Sequence, residues 1–299
     1  MPMTDEVTAI QISKEQPGFV ITPFIENILR RAGAYLKAGY PLHLTGPAGT
    51  GKTSVAMYIA AQLEKPAVLI HGDEEFNTSD LVGNENGLRR KKVVDNFIHS
   101  VKKTEESVAR HWVDNRLTLA CKHGFTLIYD EFTRSRPEAN NVLLSVLEEK
   151  ILDLPVGGDG YLRVHPDFSA IFTSNPQEYA GIHAAQDALR DRMITMNLGH
   201  YDRETEIAIT EAKSGIDFPE AEKIVNIVRR WRESDHGRLT PTTRASVMIA
   251  RVAKVTGSKI SANDSSFVQI CADVLDSGVD GNSRIMAEEI VKDLIKKVA

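Results

Sequence analysis

Residues 46–53 read GPAGTGKT, a match to G-x-x-x-x-G-K-[ST], the glycine-rich loop whose backbone N–H groups wrap a nucleotide's phosphates. Leu42-His43-Leu44 reads as a buried strand pointing into that loop, and Thr53 to Leu63 as the helix leaving it. Gly51, Lys52 and Thr53 then stand at a helix N-terminus, where unpaired N–H groups and the helix dipole favour an anion. Further along, TLIYDE (126–131) is an apolar strand ending in two adjacent carboxylates. IFTSNP (171–176) is another, ending in polar Thr173, Ser174 and Asn175. Three strand tips in this order are what metal-assisted cleavage of a nucleoside triphosphate requires, which implies an ATPase using ATP and Mg2+.

Phosphoryl transfer is catalysed mainly by positioning and charge stabilisation, so each polar group in these segments has an expected task. Gly46, Gly49 and Gly51 allow close backbone approach, and Pro47, Ala48, Thr50 and Ser54 complete the nucleotide-binding stretch. Lys52 would neutralise the β and γ phosphates. Thr53 would ligate Mg2+ through its hydroxyl, with Asp130 as the second metal-holding group. Glu131 would orient or polarise the attacking water, and Asn175 would fix that water or the γ-phosphate. A glycine-rich turn can be purely structural, and a carboxylate pair at a strand tip is usually just solvated. The strand–loop–helix setting, with the acidic strand following in order, favours the functional reading.

Composition narrows the class. The net charge of −5, with 26% charged residues, gives no sign of a nucleic-acid binder held by bulk charge. The N-terminus lacks a basic region followed by an apolar run, and no apolar stretch nears the roughly 20 residues that span a bilayer. Cys121 and Cys271 show no paired spacing, which suits a reducing cytosol. Neither C-x-x-C nor H-E-x-x-H occurs, so the nine histidines give no reason to expect a transition-metal site.

With 299 residues the chain can hold one large domain or two modest ones. Residues 1–16 read as a flexible arm. Residues 17–200 read as an α/β unit, and 201–299 as a smaller all-helical one. After Pro23, apolar side chains from Phe24 to Leu36 recur at helical spacing, and 67–71, 125–129 and 170–173 are short apolar strands. Strands alternating with helices predict a parallel sheet covered on both faces, with its ligand at the strands' C-terminal ends. Two segments interrupt the plan. Residues 84–116 carry a charged run, Arg89 to Lys92, read as a solvated helix flank, then Val93, Val94, Phe97, Ile98 and Val101 at helical spacing. Residues 151–168 hold a Gly-Gly-Asp-Gly turn between apolar runs, which reads as a hairpin. Beyond residue 200, helical patterns follow at 203–213, 218–233, 241–255, 264–276 and 283–298.

GPAGTGKT, TLIYDE and TSN resemble the Walker A, Walker B and sensor-1 elements of the AAA+ ATPases. HGDEEFNTSDLVG (71–83), YDEFTRSRPEANNVLLSVLEE and VHPDFSAIFTSNP are similar to the MoxR branch. With VVDNFIHSV and QDALRDRMITM added, the chain resembles the gas vesicle protein N family, strongly over residues 17–200. That resemblance implies a P-loop AAA+ core followed by a helical lid. It implies a helix-2 insertion at about 84–116 and a hairpin before sensor 1 at about 151–168. It assigns the arginine that reaches a neighbouring subunit's γ-phosphate to Arg192, with Arg190 second and Arg134 an additional interface residue. It assigns the sensor-2 arginine to Arg244 in TPTTRAS, where such lids usually carry Ser-Pro-Arg.

The same resemblance implies a ring, expected as a hexamer, in the cytoplasm and associated with gas vesicles. Its partners would be the shell protein, the outer-surface gas vesicle protein C, or both, with no nucleic acid and no membrane. One rival keeps the enzyme and makes it a general MoxR-type chaperone or metal-insertion ATPase. Another makes the chain a nucleotide-gated minor vesicle component with little turnover. A DNA-remodelling role is disfavoured by the acidic balance.

Overall fold

The computed structural model describes residues 10–13, 16, 18–95, 103–154, 160–176, 185–234, 240–276 and 281–298. The first half runs α1 (Pro23–Lys37), β1 (Leu42–Thr45), α2 (Lys52–Gln62), β2 (Ala67–His71), α3 (Thr78–Val82), β3 (Gly83–Asp95), β4 (Lys103–Asp114), α4 (Arg116–His123) and β5 (Thr126–Asp130). A 3-10 turn (Phe132–Arg134) leads to α5 (Pro137–Asn140), α6 (Val142–Glu148), β6 (Ile151–Asp153), β7 (Tyr161–Arg163), β8 (Ser169–Ser174), α7 (Ala185–Arg190) and β9 (Ile194–Asn197). Helices follow: α8 (Arg203–Ser214), α9 (Phe218–Glu233), α10 (Thr243–Thr256), α11 (Ser265–Leu275) and α12 (Gly281–Val298).

Five strands form one parallel sheet in the order β2-β5-β8-β1-β9. Because side chains alternate across a strand, each strand must find apolar cover on both sides. In β5, Leu127 and Tyr129 pack with Val68, Phe172 and residues of α4 and α6, whereas Ile128 packs with Ile25, Val55 and Ile59 from α1 and α2. The doubly covered parallel sheet read from the sequence is therefore present. All strands run the same way, so the loop after β1 and the tips of β5 and β8 share one end of the sheet.

Beyond β9, a separate apolar cluster built on Ile224, Val228, Trp231, Ile249, Phe267, Cys271 and Val291 holds α8 to α12 together. One carboxylate is buried at its edge. Glu206, with its side chain 1% exposed, accepts from Arg229 Nη1 and Arg232 Nη2, each at 2.9 Å. Arg232 Nε also donates to Pro241 O, so the cluster fixes the turn that leads into α10. Removing one member leaves buried charge uncompensated. Glu206→Ala is expected to cost about 3–5 kcal/mol, read as a lowered urea midpoint for the helical signal.

Several elements depart from the reading of the sequence alone. The 84–116 segment is not helical where described: β3 and β4 pair antiparallel from Gly83↔Asp114 to Asp95↔Lys103. Arg89–Lys92 therefore stands in a strand, not on a helix flank. The paired β-branched Val93-Val94 suits a ladder, and an antiparallel partner outweighs a helical spacing only a few residues long. Phe97, Ile98 and Val101 lie outside the described residues, as do the arm's first nine residues and the turn at 155–159. Part of the arm is tied down, since Ile10 N donates to Ala67 O at 2.7 Å and Ala67 N returns a bond to Ile10 O at 3.0 Å. Strand β9 was not among the strands read from the pattern. It adds to the edge beside β1 with Leu42 opposite Ile194.

Candidate functional site

The loop between β1 and α2 is shaped by its glycines. Gly51 is the N-cap of α2 and offers no side chain to cap the helix, so the first N–H groups of the turn are left for an external acceptor. A Cβ on Gly46 would lie 2.1 Å from Leu198 O, and one on Gly49 would lie 2.3 Å from Thr242 Oγ1. Lys52 is buried in this cradle, its Nζ donating to Gly46 O and Pro47 O at 2.8 Å each. Thr50 Oγ1 donates to Pro47 O at 2.9 Å and Tyr201 OH donates to Thr50 O at 2.5 Å, bracing the loop from both sides. Burial pushes the Tyr201 phenol up to about 12, so it remains a donor.

The acidic strand tip meets the loop directly. Thr53 Oγ1 donates to Asp130 Oδ1 at 2.7 Å, and Thr173 Oγ1 donates to the same oxygen at 2.6 Å. Asp130 Oδ2 faces His71 Nδ1 at 3.5 Å. Glu131, next in sequence, has φ 52° and ψ 41°, and its N–H donates to Thr173 Oγ1 at 2.9 Å. Asn175 is buried just past β8, the strand between β5 and β1, and so sits between the acidic pair and the loop. Below it, His43 bonds Ser174 Oγ at 2.8 Å and Thr195 Oγ1 at 3.0 Å. Burial first, and the Arg190 charge second, lower its pKa to about 4.

A hydroxyl next to a carboxylate is a hard-oxygen donor set of the kind magnesium takes. Beside an uncapped helix N-terminus and a buried lysine, those residues fit a metal-bound polyphosphate. A cavity of about 320 Å³ opens beside the loop. Phe19, Val20, Ile25, Tyr201 and Met248 line it together with Thr50, Ser54 and Arg244, an apolar slot with polar edges that fits a flat base and its sugar.

The arginines separate by position. Arg244, in the first turn of α10, lines the cavity, with its Cβ 3.1 Å from where a Gly49 Cβ would stand. Arg134 lies beside Glu131 of its own subunit, Nη1 to Oε2 3.6 Å. Arg192 lies elsewhere. Ile194 N bonds Pro41 O, at the start of β1, so Arg192 is at the end of the sheet away from the loop. There its Nε donates to Glu148 Oε2 at 2.6 Å, its Nη2 reaches the same oxygen, and Nη1 donates to Ala188 O at 2.6 Å. The structure thus gathers Lys52, Thr53, Asp130, Glu131, Asn175 and Arg244 at one end and leaves Arg192 at the other.

Thr173, Tyr201 and Phe19 were not given roles from the sequence. The partners of Thr173 and Tyr201 are 43 and 151 residues away, and Phe19 stacks on Tyr58, so no local spacing reports them. Gly49 supplies a test of the contact between loop and helical region. At φ +80°, an alanine there would press on Thr242 and Arg244. Gly49→Ala is expected to keep the fold but bind ATP about tenfold or more weakly, measured by nucleotide titration alongside thermal melting.

A profile of the AAA domain (dynein-related subfamily) matches residues 41–193. The gas vesicle ATPase GvpN of Ancylobacter aquaticus is 51% identical over 276 residues, covering 92% of this chain and 77% of that protein. GvpN of Haloferax mediterranei is 44% identical over 279 residues, covering 92% and 78%. Among solved structures, a point mutant of Thermotoga maritima RuvB matches with TM-score 0.52 at 16% identity, covering 93% of this chain and 72% of that one, a likeness of fold.

Proposed function

This chain belongs to the gas vesicle ATPase GvpN family of AAA-domain proteins, and on that premise we propose that it couples ATP hydrolysis at subunit interfaces of a ring to remodelling of gas vesicle shell proteins. It is an AAA+ ATPase linked to gas vesicles. The hydrolysis part of this reading is supported above all by the 2.7 Å bond from Thr53 to Asp130, which joins the lysine-bearing loop to the acidic strand tip.

In this reading the loop's N–H groups and Lys52 bind the phosphates and draw negative charge off the β–γ bridge. Thr53 and Asp130 would hold magnesium, which would supply charge neutralisation to the triphosphate. Glu131 polarises the attacking water, and Asn175, from the adjoining strand, orients it against the γ-phosphate. Arg192 of one subunit completes the site of the next, and Arg244 senses the nucleotide from the helical lid. Lid motion would pass through the β3–β4 ribbon and the β6–β7 hairpin to the client. Among the described residues no helix is long and apolar enough to cross a membrane.

The client is proposed as the shell protein, the outer-surface gas vesicle protein C, or both, and the ring as a hexamer in the cytoplasm. Turnover measured with and without purified shell protein, next to mass in solution with a non-hydrolysable nucleotide, tests this. Stimulated turnover and a nucleotide-dependent ring are expected. A monomer under all conditions, indifferent to shell protein, would contradict it.

A further inference from the structure

Thr173 is fully buried on β8, between the strand that carries the acidic pair and the strand that enters the glycine loop. A threonine hydroxyl has one proton to give and lone pairs to receive with. Here the proton goes to Asp130 Oδ1 at 2.6 Å, and a lone pair takes the Glu131 N–H at 2.9 Å. One side chain therefore touches both acidic residues. Of the two hydroxyls on Asp130 Oδ1, Thr53 belongs to the glycine loop and Thr173 does not, so Thr173 sets the carboxylate's direction independently of the loop. Glu131 sits at φ 52°, ψ 41°, a left-handed conformation that residues with a Cβ hold only when their surroundings enforce it. The bond to its amide is one such constraint. Thr173 also precedes Asn175, just past the end of β8, by two positions, so a shift of that tip moves Asn175 together with the groups that Thr173 bonds.

We infer that Thr173 is a positioning residue for hydrolysis, aiming the Asp130 carboxylate and seating Glu131 without itself reaching nucleotide or water. The inference rests on reading this end of the sheet as the ATPase centre. Packing alone would be met by valine, which keeps the β-branched shape and the burial but removes both bonds.

The test compares Thr173→Val with Thr173→Ser, which keeps the hydroxyl. Nucleotide affinity is measured in EDTA, Mn2+ affinity of the protein–nucleotide complex by electron paramagnetic resonance, and kcat with its Mg2+ dependence. Thr173→Val is expected to keep metal-free nucleotide affinity within about twofold, bind Mn2+ about 10–100-fold more weakly and lose kcat in step, as removal of an outer-shell partner does. Thr173→Ser should restore both. Wild-type Mn2+ affinity and kcat in folded Thr173→Val overturns the inference, as does failure of the serine to recover them. Should the valine variant fail to fold, Thr173→Ala, with room for a water at the Glu131 amide, replaces it against the same two outcomes. Asp130→Asn and Glu131→Gln are run alongside. If these lose metal affinity or rate while Thr173→Val does not, only the role of Thr173 falls; if they too match wild type, the ATPase-centre reading falls.

Discussion

Replacing Arg192 with alanine is expected to slow ATP turnover by about 10³–10⁵-fold, the range for loss of an arginine that neutralises charge in phosphoryl transfer. The register gives the reason for expecting the effect across an interface. Leu42 pairs with Ile194 and Thr45 with Asn197, so Arg192 precedes the first rung while the glycine loop follows the last. At about 3.3 Å per residue, the strand alone separates them by more than 10 Å, beyond what one arginine spans to its own subunit's phosphates. Its side chain is 31% exposed and held by Glu148. In a head-to-tail ring, Arg192→Ala subunits keep intact loops and Lys52→Ala subunits keep intact arginines. An equal mixture should therefore recover up to about a quarter of wild-type turnover, the share of interfaces that pair one good loop with one good arginine. The check is steady-state phosphate release across mixing ratios. No recovery at any ratio would place the arginine's role inside one subunit.

Glu131→Gln should bind ATP with wild-type affinity and hydrolyse it about 10²–10⁴-fold more slowly, the range for loss of a general base. Glutamine matches the shape and the left-handed backbone at Glu131 as well as glutamate does, and keeps the bond from its N–H to Thr173. What is lost is the carboxylate charge, and with it the 3.6 Å ion pair to Arg134. With ATP persisting at the interface, the assembled ring should accumulate, visible as mass in solution. Single-turnover hydrolysis with equilibrium binding on the same preparation checks it, and undiminished turnover would remove Glu131 from the mechanism.

Much of this site was legible in the chain because it is built from local punctuation. Gly46 to Thr53 must turn tightly and open a helix, and an apolar strand ending in Asp130-Glu131 writes its exit into six consecutive residues. The helices of the second half were legible for a similar reason, since a 3.6-residue apolar period sustained over three turns has few other readings. What escaped depends on partners far off in sequence. Ile194–Asn197 is too short to show a period, and it is a strand because β1 offers it an edge. The 83–114 ribbon carries charged and β-branched residues that fit either period, so pairing decided it. Glu206 looks like any exposed helix carboxylate until Arg229 and Arg232, from the next helix, close over it. Thr173 reads as one more strand residue until Asp130 and Glu131 arrive from β5.

Whether the loop lysine and the acidic pair act on one bound triphosphate is decided by calorimetric titration of ATP into Lys52→Ala and Glu131→Gln. Saturable binding is expected to Glu131→Gln and none detectable to Lys52→Ala, whose cradle has lost its buried cation. Wild-type affinity in Lys52→Ala would contradict that joint action.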